Sequence, residues 1–160
     1  HGALAYLTQV YKSQNKLISQ EKFVDVFENN LKRENLSEND FNSLLDHGRE
    51  ILSGYYQNYR DSFNGRCLTE HDFKFNNIYL DEIPITGKID KIEFLSGKQV
   101  NVVDYKTGKP DYKYQQLSPE GDYFRQLVFY KLLCDEAKTF PYKVVSGTID
   151  FIEANKKNQY

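Results

Sequence analysis

The chain is poor in sulfur. It has no methionine, and Cys67 and Cys134 are its two cysteines in 160 residues. They stand far apart and form no C-x-x-C pair, so they are expected to stay reduced in a reducing compartment. Long apolar runs are lacking too. None approaches the roughly 20 residues needed to span a bilayer, and no signal peptide is visible. The first residue is His1 rather than a methionine, and a domain excised from a longer protein is expected. A basic excess is also absent: 21 Lys and Arg stand against 23 Asp and Glu, a net charge of −2. A domain that held nucleic acid unaided would usually be more basic. The balance leaves room for a metal-dependent site, where bound cations offset the acids. Repeats, low-complexity tracts and interior linkers are missing as well.

What remains suits one domain across residues 1–160, long enough for a core and too short for two comfortable ones. Apolar residues make up 39% and charged residues 28%, an ordinary soluble balance. The 13 Tyr and 11 Phe serve core filling or base stacking, and composition does not choose between them.

Residues 1–63 read as helical. In "HGALAYLTQVYK", Ala3, Leu4, Leu7, Val10 and Tyr11 recur at helical spacing. Ser19 can cap a second helix with Phe23, Val26, Phe27 and Leu31 on one face. Ser37 can cap a third, with Phe41, Leu44, Leu45, Ile51 and Leu52 as its stripe and Gly48 and Gly54 weakening it. The period then changes. Residues 66–106 alternate in three stretches, with turns at Asn76-Asn77 and Ser96-Gly97, and read as an antiparallel meander of three strands. Lys109 to Leu117 is a polar loop. Ser118-Pro119-Glu120 has the chemistry of a helix start, which predicts a helix over 118–138. Pro141 ends it, and 142–153 is a last strand. The order ααα-βββ-α-β predicts an α/β fold with a mixed central sheet flanked by helices.

The stretch "VNVVDYKTGK" carries the chemistry. Val100, Val102 and Val103 make a buried strand, yet it ends on Asp104 and Lys106. Side chains alternate along a strand, so these two point the same way and Tyr105 points the other. An acid and a base so placed can be a plain ion pair. The pattern [DE]-x-K also occurs at Asp72/Lys74, Asp111/Lys113 and Glu136/Lys138, so alone it has little specificity. Context separates Asp104/Lys106 from the others. It ends an apolar strand, a Thr107-Gly108 turn follows, and the preceding strand carries Asp90. Hairpin neighbours pair antiparallel, so Asp90 can lie beside Asp104. Gly87, three residues before Asp90, allows a bulge or the close approach of a ligand. Two adjacent carboxylates repel each other and would raise each other's pKa. A hard divalent cation such as Mg²⁺ relieves this and accepts phosphate oxygens. Lys106 beside it could orient or deprotonate an attacking water, or neutralise developing charge. Such a set suits metal-assisted phosphodiester hydrolysis.

Asp90 followed by Asp104-x-Lys106 resembles the PD-(D/E)xK nuclease signature. "GKIDKIEF", "VVDYKTGK" and Gln126-Leu127-x-x-Tyr130, in that order, resemble its RecB-like branch. That branch comprises the nuclease domains of bacterial RecB-, AddA- and AddB-type helicase–nucleases and the CRISPR-associated RecB-like exonucleases. The resemblance covers roughly residues 70–130. It implies a restriction-endonuclease-like αβββαβ core with extra N-terminal helices. It implies metal ligation by His1, Asp90, Asp104 and the backbone carbonyl of Tyr105, with Lys106 catalytic. His1 and "GALAYLTQVY" fit the second half of the family's histidine pattern, although a first residue also often frays. Gln126 would lie near Lys106 or the substrate, and Tyr130 toward DNA; a half-buried helix edge is the plainer account of both. Glu70 fits an E-x-x-F stretch and would support the site, or face solvent. Arg125, Lys109 and Lys113 could touch phosphates or simply be solvated, and His47 and His71 are expected to be structural or solvated. Some relatives hold an iron–sulfur cluster on four cysteines. Cys67 and Cys134 do not fit that spacing, and no cluster is expected.

The resemblance implies an Mg²⁺- or Mn²⁺-dependent deoxyribonuclease, acting as an exonuclease in DNA end processing or recombinational repair. A helicase portion of the same chain or a partner subunit would feed it single-stranded DNA, in a bacterial cytoplasm. The alternative is a nuclease-like module that has lost activity and guides DNA or serves as structure. Intact Asp90, Asp104 and Lys106 argue against that alternative.

Overall fold

The structure, a computed structural model, describes residues 1–110 and 114–155. Asp111, Lys113 and the last five residues lie outside the described set. The described chain divides into two compact units. One holds residues 1–65, 107–110 and 151–155, and the other 66–106 and 114–150.

The first unit is built on α1 (Gly2–Gln14), α2 (Gln20–Leu31) and α3 (Glu38–Tyr59). Serine caps set two of the three starts, as their sequence suggests. Ser19 Oγ accepts the Lys22 N–H at 3.2 Å, and Ser37 Oγ accepts the Asp40 N–H at 3.2 Å. Each satisfies one of the backbone donors that a helix start leaves over. Gly48 proves to be a packing residue in α3. A Cβ there would stand 2.3 Å from the Phe27 ring of α2, so the missing side chain lets the two helices close. Glu28 of α2 binds Lys32 at 2.8 Å and Arg49 of α3 at 2.8 Å. His47 meets Glu153 at 3.1 Å.

The second unit holds the sheet. Its strands are β1 (Cys67–Asp72), β2 (Ile78–Leu80), β3 (Ile83–Ile85), β4 (Lys88–Phe94), β5 (Gln99–Lys106) and β6 (Lys143–Phe151), with α4 (Asp122–Glu136) between the last two. The main sheet has the order β1-β4-β5-β6. β1 pairs antiparallel with β4, and β4 with β5 in the register Lys91↔Val103, Ile92↔Val102. β6 runs parallel to β5. The Lys143 N–H donates to the Lys98 carbonyl at 2.8 Å, and Thr148 bonds Asn101, so both partners advance together. A parallel neighbour requires a crossover, and α4 supplies it. The mixed sheet and its helices agree with the restriction-endonuclease-like expectation.

β5 lies inside the sheet, which explains its apolar run: Val100, Val102 and Val103 are all buried. Val100 and Val102 pack with Ile92 of β4 and Leu133 and Tyr130 of α4 in one cluster that also takes in Phe73 and Ile89. Each side chain so buried contributes about 1.5–3 kcal/mol of transfer free energy. Cys134 belongs to the same cluster, and burial pushes its thiol up to about 12.

Two elements differ from the sequence reading. The meander contains an extra hairpin. β2 and β3 form a separate two-stranded sheet, closed at Leu80↔Ile83 with Asp81 in the left-handed region at φ 53°. Three-residue strands are too short to show a period. Ile83–Ile85 is also cut off from β4 at Gly87, where a Cβ would stand 2.6 Å from Leu133 Cδ1. The crossover helix starts later than Ser118. Ser118 opens a turn instead, its carbonyl accepting the Gly121 N–H at 2.8 Å, with Pro119 at the second position that such turns favour. Gly121 is the cap residue, and the Asp122 N–H finds its acceptor in Gln116 Oε1 at 3.0 Å.

Candidate active site

Even-numbered residues of β5 face α4. Val100 and Val102 therefore pack on the helix, and Asp104 and Lys106 continue the same face to the strand end. Carried one residue past Lys91↔Val103, the β4–β5 register sets Asp90 opposite Asp104. Gln126 and Tyr130 are i and i+4 on α4 and share one helix face.

These residues close a ring. Lys106 Nζ stands 2.7 Å from Asp104 Oδ2 and donates to Gln126 Oε1 at 2.7 Å. Gln126 Nε2 donates to Tyr130 Oη at 3.2 Å, and Tyr130 O–H donates to Asp104 Oδ1 at 2.9 Å. Strand and helix are thus joined by four side chains. Asp104 is buried at 2% exposure, and Lys106 keeps part of its side chain open. Burial, and then the bond to Asp104, hold the Tyr130 hydroxyl well above its ordinary pKa of 10.0. It therefore remains a proton donor at neutral pH.

The acids offer a place for a cation. Asp104 Oδ2 is buried and accepts no hydrogen bond among the described residues; the Lys106 ammonium meets it as an ion pair, off hydrogen-bonding alignment. Asp90 is also buried, and its Oδ2 accepts the Tyr105 backbone N–H at 2.9 Å. Glu70 of β1 brings a carboxylate oxygen within 4.8 Å of one from Asp90. Glu70 holds a φ of 53°, a left-handed conformation that costs a non-glycine residue roughly 1–2 kcal/mol. Lys88 pairs with its carboxylate, and that contact holds the Lys88 ammonium above its ordinary value. These carboxylate oxygens, one of them lacking a hydrogen bond, fit a hard divalent cation such as Mg²⁺ or Mn²⁺.

The remaining expected residues fall as follows. The Tyr105 side chain turns to the opposite face and is buried there. His1 is the exposed cap residue of α1 in the first unit, its carbonyl accepting the Ala5 N–H at 3.0 Å. Arg125 is engaged within its own helix start, with Asp122 and the Glu120 carbonyl. Lys109 lines a cavity of about 630 Å³ in the first unit. His71 packs edge-on against Phe73, with ring centroids 4.7 Å apart. Two neighbours were not singled out from the sequence. Lys88 reaches Glu70 through the β1–β4 register. Tyr123 lies three residues before Gln126 on α4, and its ring centroid stands 5.3 Å from Lys106 Nζ. The helical spacing 123, 126, 130 is the pattern that could have found it.

A comparison with curated proteins finds no match. Among protein families, the PD-(D/E)XK nuclease superfamily matches residues 1–159, nearly the whole chain. Among the described residues, no helix is long and apolar enough to cross a membrane. With the mixed sheet and the acid–lysine strand end both in place, the chain belongs to the PD-(D/E)XK nuclease superfamily, whose members are divalent-metal-dependent nucleases.

Proposed function

We propose that the chain is a RecB-like deoxyribonuclease domain that hydrolyses phosphodiester bonds of single-stranded DNA. Its setting would be DNA end processing or recombinational repair, as an exonuclease fed by a helicase portion or partner subunit. The RecB-like assignment rests on "GKIDKIEF", "VVDYKTGK" and Gln126-x-x-x-Tyr130. The observation that carries the catalytic reading is the closed ring of Asp104, Lys106, Gln126 and Tyr130. It supports Asp104-x-Lys106 over the other three copies of the same sequence pattern.

Asp104 and Asp90, with the Tyr105 carbonyl, would hold Mg²⁺ or Mn²⁺, and the family pattern adds His1. Such a cation, when bound, supplies positive charge against the phosphate oxygens and favours water as a nucleophile. The chain's own groups do the rest. Lys106 is the catalytic cation: its ammonium donors orient the attacking water and offset charge developing on the phosphate. Gln126 fixes the ammonium by accepting one of its hydrogens. Tyr130 fixes Asp104 from the other side and stays protonated while doing so. Glu70 lies beside Asp90 and supports it. Water adds to phosphorus, the bond to the leaving sugar oxygen breaks, and the ends carry a phosphate and a hydroxyl.

The test is digestion of labelled single-stranded DNA with Mg²⁺ or Mn²⁺ by wild type, Asp104→Ala and Lys106→Ala. Each substitution is expected to lower the rate by roughly 10²–10⁴-fold. Activity surviving both would remove the site from this strand end. A wild type that binds single-stranded DNA without cutting it would favour the inactive, DNA-guiding module.

A further inference from the structure

We infer that Tyr123 is a positioning residue for Lys106, the aromatic wall of a cage whose other walls are Asp104 and Gln126. The inference deepens the proposed nuclease reading and rests on it. An ammonium has three donors on a flexible four-carbon stem. Asp104 Oδ2 and Gln126 Oε1 each stand 2.7 Å from Lys106 Nζ and define two of its directions. The ring of Tyr123 approaches with its centroid 5.3 Å from the nitrogen, inside the range over which a cation is drawn to an aromatic face. Tyr123 is half-buried at the start of α4, one helical turn before Gln126 and two before Tyr130. The helix thus presents three successive groups to the strand end: the ring to the ammonium, the amide to the ammonium, and the phenol to Asp104.

The role of such a wall is to limit rotamers. A lysine with two polar partners can still swing its stem while keeping one of them. An aromatic face beside the charge makes the caged rotamer favourable without adding a hydrogen bond that a water or phosphate would have to displace. The ring leaves the ammonium's donors available to substrate, which a third carboxylate or amide would not. A catalytic group so held loses less when the transition state forms.

The inference predicts an order of side chains. Tyr123→Phe keeps the ring and should retain kcat within about twofold. Tyr123→Leu keeps bulk but not the π face, and should lower kcat about five- to tenfold with KM unchanged. In a Lys106→Met background the same Tyr123→Leu change should have no further effect. A second readout needs neither metal nor DNA. The Lys106 methylene protons should show an upfield ring-current shift in wild type and Tyr123→Phe, lost in Tyr123→Leu. Equal kcat for leucine and tyrosine, or a loss for phenylalanine as large as for leucine, would overturn the inference. So would an effect confined to KM, which would make Tyr123 a base-stacking residue instead. If wild type cleaves no DNA, the nuclease reading fails, and the ring-current shift still decides whether Tyr123 holds the lysine.

Discussion

At the scale of the residue, the site depends on how each buried oxygen of Asp104 is served. Oδ1 takes the Tyr130 hydroxyl, while Oδ2 has the Lys106 charge without a hydrogen bond. Tyr130→Phe would leave Oδ1 buried with no donor. The metal-free protein should then lose about 1–3 kcal/mol, the range for stranding a buried acceptor. A urea midpoint unchanged by the substitution would mean that this bond does not form in solution. Asp104 and Lys106 were legible because alternation along an apolar strand shows which side chains share a face. Tyr123 and Lys88 were not, because each meets its partner through spatial packing. Lys88 finds Glu70 across a strand register, and Tyr123 finds Lys106 across a crossover. The spacing 123, 126, 130 puts Tyr123 on the Gln126 face of α4, but spacing alone does not name the partner that the ring meets.

At the scale of the element, the α2–α3 pair shows propensity and packing in conflict. Glycine inside a helix costs about 1 kcal/mol against alanine, so Gly48 reads as a defect in α3. The Phe27 ring at 2.3 Å from a Cβ at that position reverses the sign. Overpacking typically costs about 1–3 kcal/mol, so Gly48→Ala should destabilise the protein by roughly 1 kcal/mol despite its better propensity. Thermal or urea denaturation decides the sign. The same pair carries a pH-dependent link. Hydrogen bonds from Lys32 and then Arg49 hold the Glu28 carboxyl below its ordinary 4.5. A depressed acid stabilises the fold above its unfolded value and loses that contribution as pH falls through the folded one. Glu28→Gln should therefore lower Tm at pH 7. The gap should close as pH drops below about 4.5 and shrink in high salt, since Glu28 is partly exposed and its partners Lys32 and Arg49 are more so. Serine caps and long apolar periods made these helices readable from sequence. The hairpin β2–β3 was not, because three residues carry no period. The start of α4 was misread because Ser-Pro suits a turn as well as a helix cap, and the close approach of Gly121 to Gln116 selects the turn.

At the scale of the whole molecule, the balance of charge bears on how DNA would be held. A chain of net charge −2 has little long-range attraction for a polyanion, so its hold on DNA should depend on bound cations. Anisotropy with a labelled single strand should show binding that strengthens on adding divalent metal and weakens in Asp104→Asn. Without DNA, saturating Mg²⁺ at about 100 times its Kd should add about 2.7 kcal/mol of stability. Asp104→Asn should abolish that gain, and a gain equal in both would move the cation elsewhere. The superfamily was legible over roughly residues 70–130 because Asp90 and Asp104-x-Lys106 sit on elements that the fold must build, a hairpin and a strand end. The closing of the ring through Tyr130 and Asp104 was not, since it depends on how α4 packs over the end of β5.

The left-handed backbone at Glu70 sets a trap for anyone engineering this protein. Asparagine or glycine would sit there more comfortably than glutamate. A search for sturdier variants would therefore select early against the acid beside Asp90, and a library ranked by melting temperature would lose that carboxylate. The chain keeps a carboxylate where its own main chain would favour a different residue, so Glu70→Gly or Glu70→Asn is expected to raise the melting temperature, and an activity measured beside it tests whether the proposed site uses this acid.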